Sequence, residues 1–298
     1  MWKDRLLNLY YHASLPMRVV RNAWTAASGR APVIVLFYHR IADDRANDWT
    51  CAFSTFVQQV RWLKKHFDVV SLEEAQERIR DGHNTRPSVS LTFDDGYADN
   101  CERALPFLID EQVPCTYFVC TRHVLNGIPF PHDLAHGKPF APNSIEQLRE
   151  LAAAGIEIGA HTRTHCNLGA VEQASVLHDE VVTAGAELAT ALGRRVRYFA
   201  FPFGQYANLN QRVFTSAREA GYEAICSAYG GYNFPGDDAF HLQRIHADDD
   251  MIRFKNWLTL DPRKKVRRYT LRAERGGQRW QMQPQTTTWW GAEPRVHR

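Results

Sequence analysis

The chain has 298 residues, with 36 Lys or Arg against 33 Asp or Glu and a formal net charge of +3. Because 44% of the residues are hydrophobic, a sizeable core can form and global disorder is excluded. No apolar run approaches the ~18–20 residues of a membrane-spanning helix.

Basic charge is concentrated at the C-terminal end, where residues 252–298 hold twelve Lys or Arg and three Asp or Glu. A nucleic-acid-binding protein would more often spread basic residues over its folded core, so we expect no nucleic-acid partner. A solvated basic end is the default interpretation, and peripheral contact with an anionic membrane surface is the alternative. Nothing in the sequence predicts the oligomeric state.

The cysteines and the N-terminal residues bear on the compartment. The six cysteines, at positions 51, 101, 115, 120, 166 and 226, form no CxxC pair, and reduced thiols are expected. The residues from Met1 to Leu6 lack the continuous apolar segment of a signal peptide. These features predict a cytoplasmic protein.

Strand-like and helix-like segments alternate along most of the chain. The amphipathic segment 1–30 precedes them, and a basic, flexible tail is expected over 263–298. The expected strands are 32–38, 88–93, 116–120, 156–160, 197–201, 223–227 and 240–245. The expected helices are 53–67, 100–110, 143–155, 171–192 and 210–220.

This alternation predicts one α/β domain over residues 31–262, built as a distorted (β/α) barrel of about seven strands. A doubly wound open sheet is the alternative. No glycine-rich phosphate-binding motif follows the first strand, which disfavours the dinucleotide-binding form of that alternative. The most specific helix boundary is at Ser144, which forms a capping-box pattern with Gln147, and Gly155 ends that helix.

Two clusters of chemically active residues follow expected strands. Asp94 and Asp95 stand where a buried strand ends, which is the active-site end of an α/β barrel. His161 and His165 follow another strand, and their i, i+4 spacing would place both imidazoles on one face of a helical turn. One carboxylate and two imidazoles form a three-ligand metal site open to water and substrate, and the adjacent carboxylate would supply a base.

Three segments of the sequence resemble the NodB-homology polysaccharide deacetylases, carbohydrate esterase family 4, and the resemblance extends over about residues 33–250. They are Thr92-Phe93-Asp94-Asp95-Gly96, His161-Thr162-Arg163-Thr164-His165 and Phe199-Ala200-Phe201-Pro202-Phe203-Gly204. The resemblance implies a distorted barrel that removes acetyl groups from sugars with a divalent metal, most often Zn²⁺, with Co²⁺, Ni²⁺ or Mn²⁺ as alternatives. It also implies that Asp95, His161 and His165 are the metal ligands and that Asp94 is the general base.

The third segment departs from the family pattern, because Ala200 stands where the family has an arginine. Its FAFPFG form resembles the branch that acts on exported poly-N-acetylglucosamine and related polysaccharides. By the resemblance, the backbone N–H of Phe203 helps to hold the oxyanion. We also expect His39, Tyr97 and Pro202 to contact substrate.

The last strand carries two further candidates, Arg244 and His246. The family's Leu-x-His segment, which supplies a general acid, has no clean match, and His246 is the candidate at the corresponding place. In a closed barrel the last strands return beside the first, so the Arg244 guanidinium could reach Asp94 and replace the missing arginine. The alternative is an exposed Arg244 paired with one of three nearby acids, Asp248, Asp249 or Asp250.

These observations predict a metal-dependent hydrolase that removes N-acetyl groups from the amino sugars of a polysaccharide or glycan. One alternative is an amidase on a small cyclic imide or ureide, which an enclosed pocket would favour and an open groove would not. The other is a catalytically impaired glycan-binding barrel, suggested by Ala200 and by the missing acid motif.

Overall fold

The computed structural model describes the backbone of residues 2–260, 266–273 and 280–287 and the side chains of residues 5–260. Its strands are β1 Val33–Tyr38, β2 Arg40–Ile41, β3 Thr50–Cys51, β4 Asp68–Val69, β5 Ser88–Phe93, β6 Cys115–Val119, β7 Glu157–Ala160, β8 Tyr198–Ala200, β9 Ala224–Cys226, β10 His241–Leu242, β11 Arg244–His246, β12 Val266–Ala273 and β13 Trp280–Thr287. Its α-helices are α1 Trp2–Ala27, α2 Phe53–His66, α3 Leu72–Arg80, α4 Ala104–Asp110, α5 Thr121–Asn126, α6 Pro131–Ala135, α7 Ile145–Ala153, α8 Ala174–His178, α9 Ala184–Leu192, α10 Gln211–Glu219 and α11 Met251–Leu258.

Nine strands form one parallel sheet, in the order β10-β9-β8-β7-β6-β5-β1-β11, with β4 beside β5. The segment 241–246 closes this sheet, because its first part pairs with β9 and its second part pairs with β1. Arg244 lies opposite Val35 in the β1 register. The predicted distorted (β/α) barrel is thus confirmed, and the open doubly wound sheet is wrong.

The barrel has two hydrophobic layers that follow the alternation of side chains along each strand. In β1, Ile34 and Leu36 pack outward in the large cluster with the helices, whereas Val33 and Val35 pack inward with residues of β6, β8 and β9. In β5 the inward positions are the small polar residues Ser88, Ser90 and Thr92, all buried. The barrel interior beside β5 therefore has room and hydrogen-bonding groups for a larger polar side chain.

Most helix boundaries follow the sequence signals. Ser144 caps α7 in a capping box with Gln147, and Gly155 follows the helix with a φ of +96°, as predicted. The long predicted helix 171–192 is observed as α8 and α9 joined through a π-helical turn, Asp179–Thr183. Such turns widen a helix locally and are frequent near functional sites.

Both ends of the chain contain secondary structure that the sequence analysis did not assign. The N-terminal segment forms the long helix α1, whose Arg18 bonds to Asn256 and Thr259 at the end of α11. In the predicted tail, β12 and β13 pair as antiparallel strands that the sequence analysis did not include. No helix in the described part of the chain is long and apolar enough to cross a membrane.

Candidate active site

The polar residues that follow the strands meet in a cleft of about 680 Å³ at the carboxyl end of the barrel. Asp94 and Asp95 come from the end of β5, His161 and His165 from the loop after β7, and Phe203 from the loop after β8. Other cleft residues include His39, Trp49, His132, Asp133 and His246. This is the end of a parallel barrel at which active sites form.

Asp95, His161 and His165 form a compact set of three potential metal ligands. One ligand atom from each residue lies within 4.8 Å of the other two. Asp95 Oδ1 lies 3.2 Å from His165 Nε2 and 3.5 Å from His161 Nε2. This oxygen is buried and has no hydrogen bond within the described part of the chain, although an unpaired buried carboxylate oxygen is costly.

The surroundings of the two imidazoles shift their pKa values in opposite directions. His161 Nδ1 donates a hydrogen bond to the Ala200 carbonyl at 2.9 Å, which leaves Nε2 as the nitrogen facing Asp95. Burial lowers the pKa of His161 to about 4, so the ring is neutral at pH 7. Burial is the largest influence on the pKa of His165 and acts to lower it, but the Asp95, Asp94 and Asp133 carboxylates together raise it, and the net shift is upward.

The histidine pair lies on a loop, and the prediction of a helical turn was wrong. The loop follows β7, with Thr162 at a φ of +64° and His165 at +59°. Asp95 and Phe203 also have positive φ, so four of the seven such non-glycine residues in the described chain lie at this site. Left-handed backbone costs about 1–3 kcal/mol for such residues and persists only where the surroundings hold it.

Glu180, in the π-helical turn, holds this loop in place. Its Oε2 accepts hydrogen bonds from the backbone N–H groups of Arg163 and Thr164, both at 2.9 Å. Its Oε1 accepts a hydrogen bond from the Thr164 hydroxyl at 2.6 Å. The sequence analysis missed Glu180, because an acid within a predicted helix has no local signal of a buried role.

Asp94 lines the same cleft and forms a bidentate ion pair with Arg244. The guanidinium Nη1 and Nη2 donate to the two carboxylate oxygens at 2.6 and 2.8 Å. Arg244 also donates to the Thr92 hydroxyl and to the Ser227 carbonyl, and it is fully buried. Burial is the largest influence and acts to raise the pKa of Asp94, but Arg244 and the nearby imidazoles together lower it, so the carboxylate stays ionised.

This contact is the one expected of Arg244, and the alternative of an exposed arginine paired with Asp248, Asp249 or Asp250 is wrong. The third segment has alanine, not arginine, at position 200. The arginine that contacts Asp94 is Arg244, which comes from β11. Ala200 contributes its backbone carbonyl, which accepts the hydrogen bond from His161 Nδ1 and so orients that ring.

Three other predicted residues lie on the cleft walls. Phe203 has its side chain 55% exposed at the rim and a φ of +60°, and its backbone N–H makes no hydrogen bond to any described residue. The His39 ring packs 4.8 Å from the Trp49 ring and 6.1 Å from the His246 ring, measured between centroids. His246 is exposed to the cleft, but desolvation by the protein around its other sides, followed by His39, lowers its pKa to about 4.

Tyr97 and Pro202 do not reach the cleft surface, which contradicts the expectation that they contact substrate. Tyr97 is fully buried and donates a hydrogen bond from its hydroxyl to Asp133 Oδ2 at 2.9 Å. Pro202 is buried in the turn after β8, where its carbonyl accepts from the Gly204 N–H. Both residues therefore shape the site from behind. Asp133 and Trp49, which do line the cleft, lie in segments where the sequence has no motif.

The three-residue set fits a divalent transition metal. It offers two imidazole nitrogens and one carboxylate oxygen, the donors that Zn²⁺ and its neighbours prefer. The orphaned Asp95 Oδ1 would gain a cationic partner there, and the neutral His161 already presents a free nitrogen. Within the described residues, no other cluster of His, Cys, Asp and Glu has this geometry.

The fold and site define a class, the (β/α)-barrel proteins with an Asp-His-His set beside a second carboxylate. Comparison with known proteins narrows this class. Residues 81–225 match the family model for polysaccharide deacetylase. The structure of IcaB from Ammonifex degensii superposes with a TM-score of 0.63 at 23% identity, over 77% of this chain and 98% of that one.

Two relatives carry activity names. A chitooligosaccharide deacetylase of Bradyrhizobium is 32% identical over 160 residues, which are 53% of this chain and 63% of that protein. A poly-β-1,6-N-acetyl-D-glucosamine N-deacetylase of Staphylococcus aureus is 24% identical over 221 residues, 70% of this chain and 72% of that protein. Residues 81–225 thus carry a polysaccharide deacetylase domain of NodB homology, carbohydrate esterase family 4.

Proposed function

We propose that the protein is a metal-dependent N-deacetylase that acts on amino sugars in a polysaccharide. One observation carries this proposal: two adjacent carboxylates in one cleft have different partners. Asp95 faces two imidazoles, whereas Asp94 is paired with Arg244. The names of the two relatives support an N-acetylated sugar polymer as the substrate class.

The metal ion, which we propose to be Zn²⁺, would be held by Asp95, His161 and His165. When bound, it would supply a Lewis acid for the acetyl carbonyl and would lower the pKa of a water molecule. The ionised Asp94 accepts a proton from the attacking water, since Arg244 orients both of its oxygens and keeps it charged. The unpaired Phe203 N–H is available to the oxygen that gains charge as the carbonyl is attacked.

Cleavage of an amide also requires a proton on the departing nitrogen. We propose His246 as the group that delivers it, because its ring lies on the cleft wall beside His39 and Trp49. With a pKa lowered to about 4, His246 is neutral at pH 7 and can deliver only a proton that it first receives. We propose that His246 receives the proton that Asp94 takes from the attacking water and passes it to the departing nitrogen.

The aromatic lining of the cleft supports a sugar polymer over a small cyclic imide as the substrate. Trp49, His39 and Phe203 offer aromatic surface along the cleft, and Phe203 is exposed at its rim. The argument for an impaired binding barrel rested on the missing arginine and on the missing acid motif, and the contact between Arg244 and Asp94 weakens the first of these grounds. We therefore favour the deacetylase over both alternatives.

The test is acetate and primary-amine release from chitooligosaccharides by the chelator-treated protein, before and after addition of Zn²⁺ or Co²⁺. We expect no release after chelation, recovery with metal, and no recovery in Asp94→Asn. Hydrolysis that ignores the chelator would refute metal dependence. Glycan binding without acetate release would establish a binding barrel, and hydrolysis of a cyclic ureide alone would establish the amidase.

A further inference from the structure

Helix α1 packs on the barrel with its polar face. Ser14, Arg18 and Thr25 are buried, and Arg18 donates to Asn256 Oδ1 at 2.7 Å, to the Asn256 carbonyl at 3.2 Å and to the Thr259 hydroxyl at 3.1 Å. A surface helix of a globular protein normally turns its apolar face to the core and its polar face to water. This helix does the opposite along much of its length.

The apolar face of α1 is left exposed. We call it the α1 stripe, and it consists of Leu6, Leu9, Met17, Val20 and Trp24, which are between 43% and 70% exposed. Their spacing of three, four or eight residues puts them on one side of a helix over about 27 Å. A contiguous apolar surface of this kind marks an interaction site more often than isolated exposed residues do.

From residue 5 to its end, α1 carries basic residues and no acid, and Asp4 precedes this stretch. Residues 5–42 contain no Asp or Glu, and Arg5 and Arg21 lie at helical positions on either side of the stripe. The described barrel ends at Leu260, just beyond α11, the helix against which Arg18 of α1 packs.

We propose that the α1 stripe docks on the surface of an anionic lipid bilayer and holds the barrel at the membrane. An apolar face with Leu and Trp, flanked by cations, is the pattern of a helix that lies in the headgroup region without spanning it. Anionic headgroups attract each nearby Lys or Arg, and this attraction adds to apolar burial. A second copy of the chain fits less well, since pairing two stripes would bring Arg5 and Arg21 of each copy together with Asp4 as the one acid on α1.

The experiment is flotation of the full-length protein with vesicles of phosphatidylcholine alone or mixed with phosphatidylglycerol. The test variant combines Leu9→Gln, Val20→Gln and Trp24→Gln, which keep helix-compatible side chains. The control variant carries the same number of Gln substitutions at exposed apolar residues elsewhere, Leu125, Ile128 and Val176. Circular dichroism and a thermal melt establish that both variants are folded.

We expect the protein to float with the anionic vesicles, to bind the neutral vesicles more weakly and to lose binding as salt is added. The stripe variant should bind the anionic vesicles at least about tenfold more weakly, and the control variant should bind them as the unmodified protein does. Failure of the unmodified protein to float, or equal binding by the stripe variant, would overturn the proposal. So would sedimentation velocity showing a dimer that the stripe variant converts to monomer, because the stripe would then be a self-interface.

Discussion

Asp94 and Asp95 are neighbours in the sequence with opposite surroundings. Both oxygens of Asp94 are bonded to a buried guanidinium, whereas Asp95 Oδ1 faces two imidazole nitrogens without a hydrogen bond. A carboxylate with all its partners in place is fixed and ionised, which suits a base. A carboxylate whose unbonded oxygen lies beside two imidazole nitrogens suits a metal ligand. The comparison teaches that the partners of a carboxylate, more than its position in a motif, decide its task.

The largest effect is expected from removing Asp95, the carboxylate whose Oδ1 has no hydrogen bond. In Asp95→Ala the metal site loses its only anionic ligand, so metal content should fall and kcat should drop by more than about 10³-fold. Elemental analysis and the acetate-release assay measure the two effects. Asp133→Asn, at a buried carboxylate elsewhere in the cleft, is the matched control and should keep its metal. Full metal occupancy in Asp95→Ala would contradict the assignment.

The role of Asp94, whose two oxygens are both bonded to Arg244, is tested by Asp94→Asn. This substitution preserves the shape of the side chain but removes its ability to accept a proton. We expect kcat to fall by about 10²–10⁴-fold while metal content stays unchanged. Normal turnover with metal present would show that another group is the base. If Asp94→Asn lost metal together with activity, the proposed division of roles, with Asp95 as ligand and Asp94 as base, would be wrong.

A smaller effect is expected from Arg244→Lys, which keeps the charge but loses the bidentate geometry. Because Arg244 holds the pKa of Asp94 below its usual value, weakening the pair should raise that pKa and move the acidic limb of the kcat profile to higher pH. The depressed pKa also makes Asp94 stabilising above its unfolded value of 3.8, and this contribution is lost as the pH falls through the folded pKa. The acid-induced fall in melting temperature should therefore be shallower in the variant.

Arg40→Lys is the control for that variant, because Arg40 is another fully buried arginine, paired with Asp99 outside the cleft. It should lower the melting temperature without moving the pH profile. An unshifted profile in Arg244→Lys would show that the pair is only structural.

The smallest effect is expected at Glu180, which acts on the ligand loop through the backbone. Glu180→Gln keeps the size of the side chain but removes the charge that the Arg163 and Thr164 N–H groups bond. Metal affinity should weaken by about tenfold, as for other groups that orient ligands. Glu187→Gln, which affects only the Arg163 side chain, should change it less. Equal metal affinities in the two variants would show that the loop carrying His161 and His165 keeps its conformation without Glu180.

Sequence patterns predicted the elements whose signals are local. Strand β5 coincides with the predicted 88–93, and the Ser144 capping box appears as predicted, because both depend on a short run of residues. The side-chain contact of Arg244 followed from barrel closure alone. The backbone of the histidine loop could not be predicted in this way, because the i, i+4 spacing fits a helical turn equally well and Glu180 decides between them from another element.

The hydrogen bonding of residues 241–246 has a consequence for how the protein becomes active during synthesis. The proposed metal ligands all lie before residue 166, so a nascent chain carries the complete set long before Arg244 is translated. Until that strand inserts between β9 and β1, Asp94 has no guanidinium beside it. The order of translation therefore makes Arg244, which orients the proposed base, one of the last barrel residues to be synthesised.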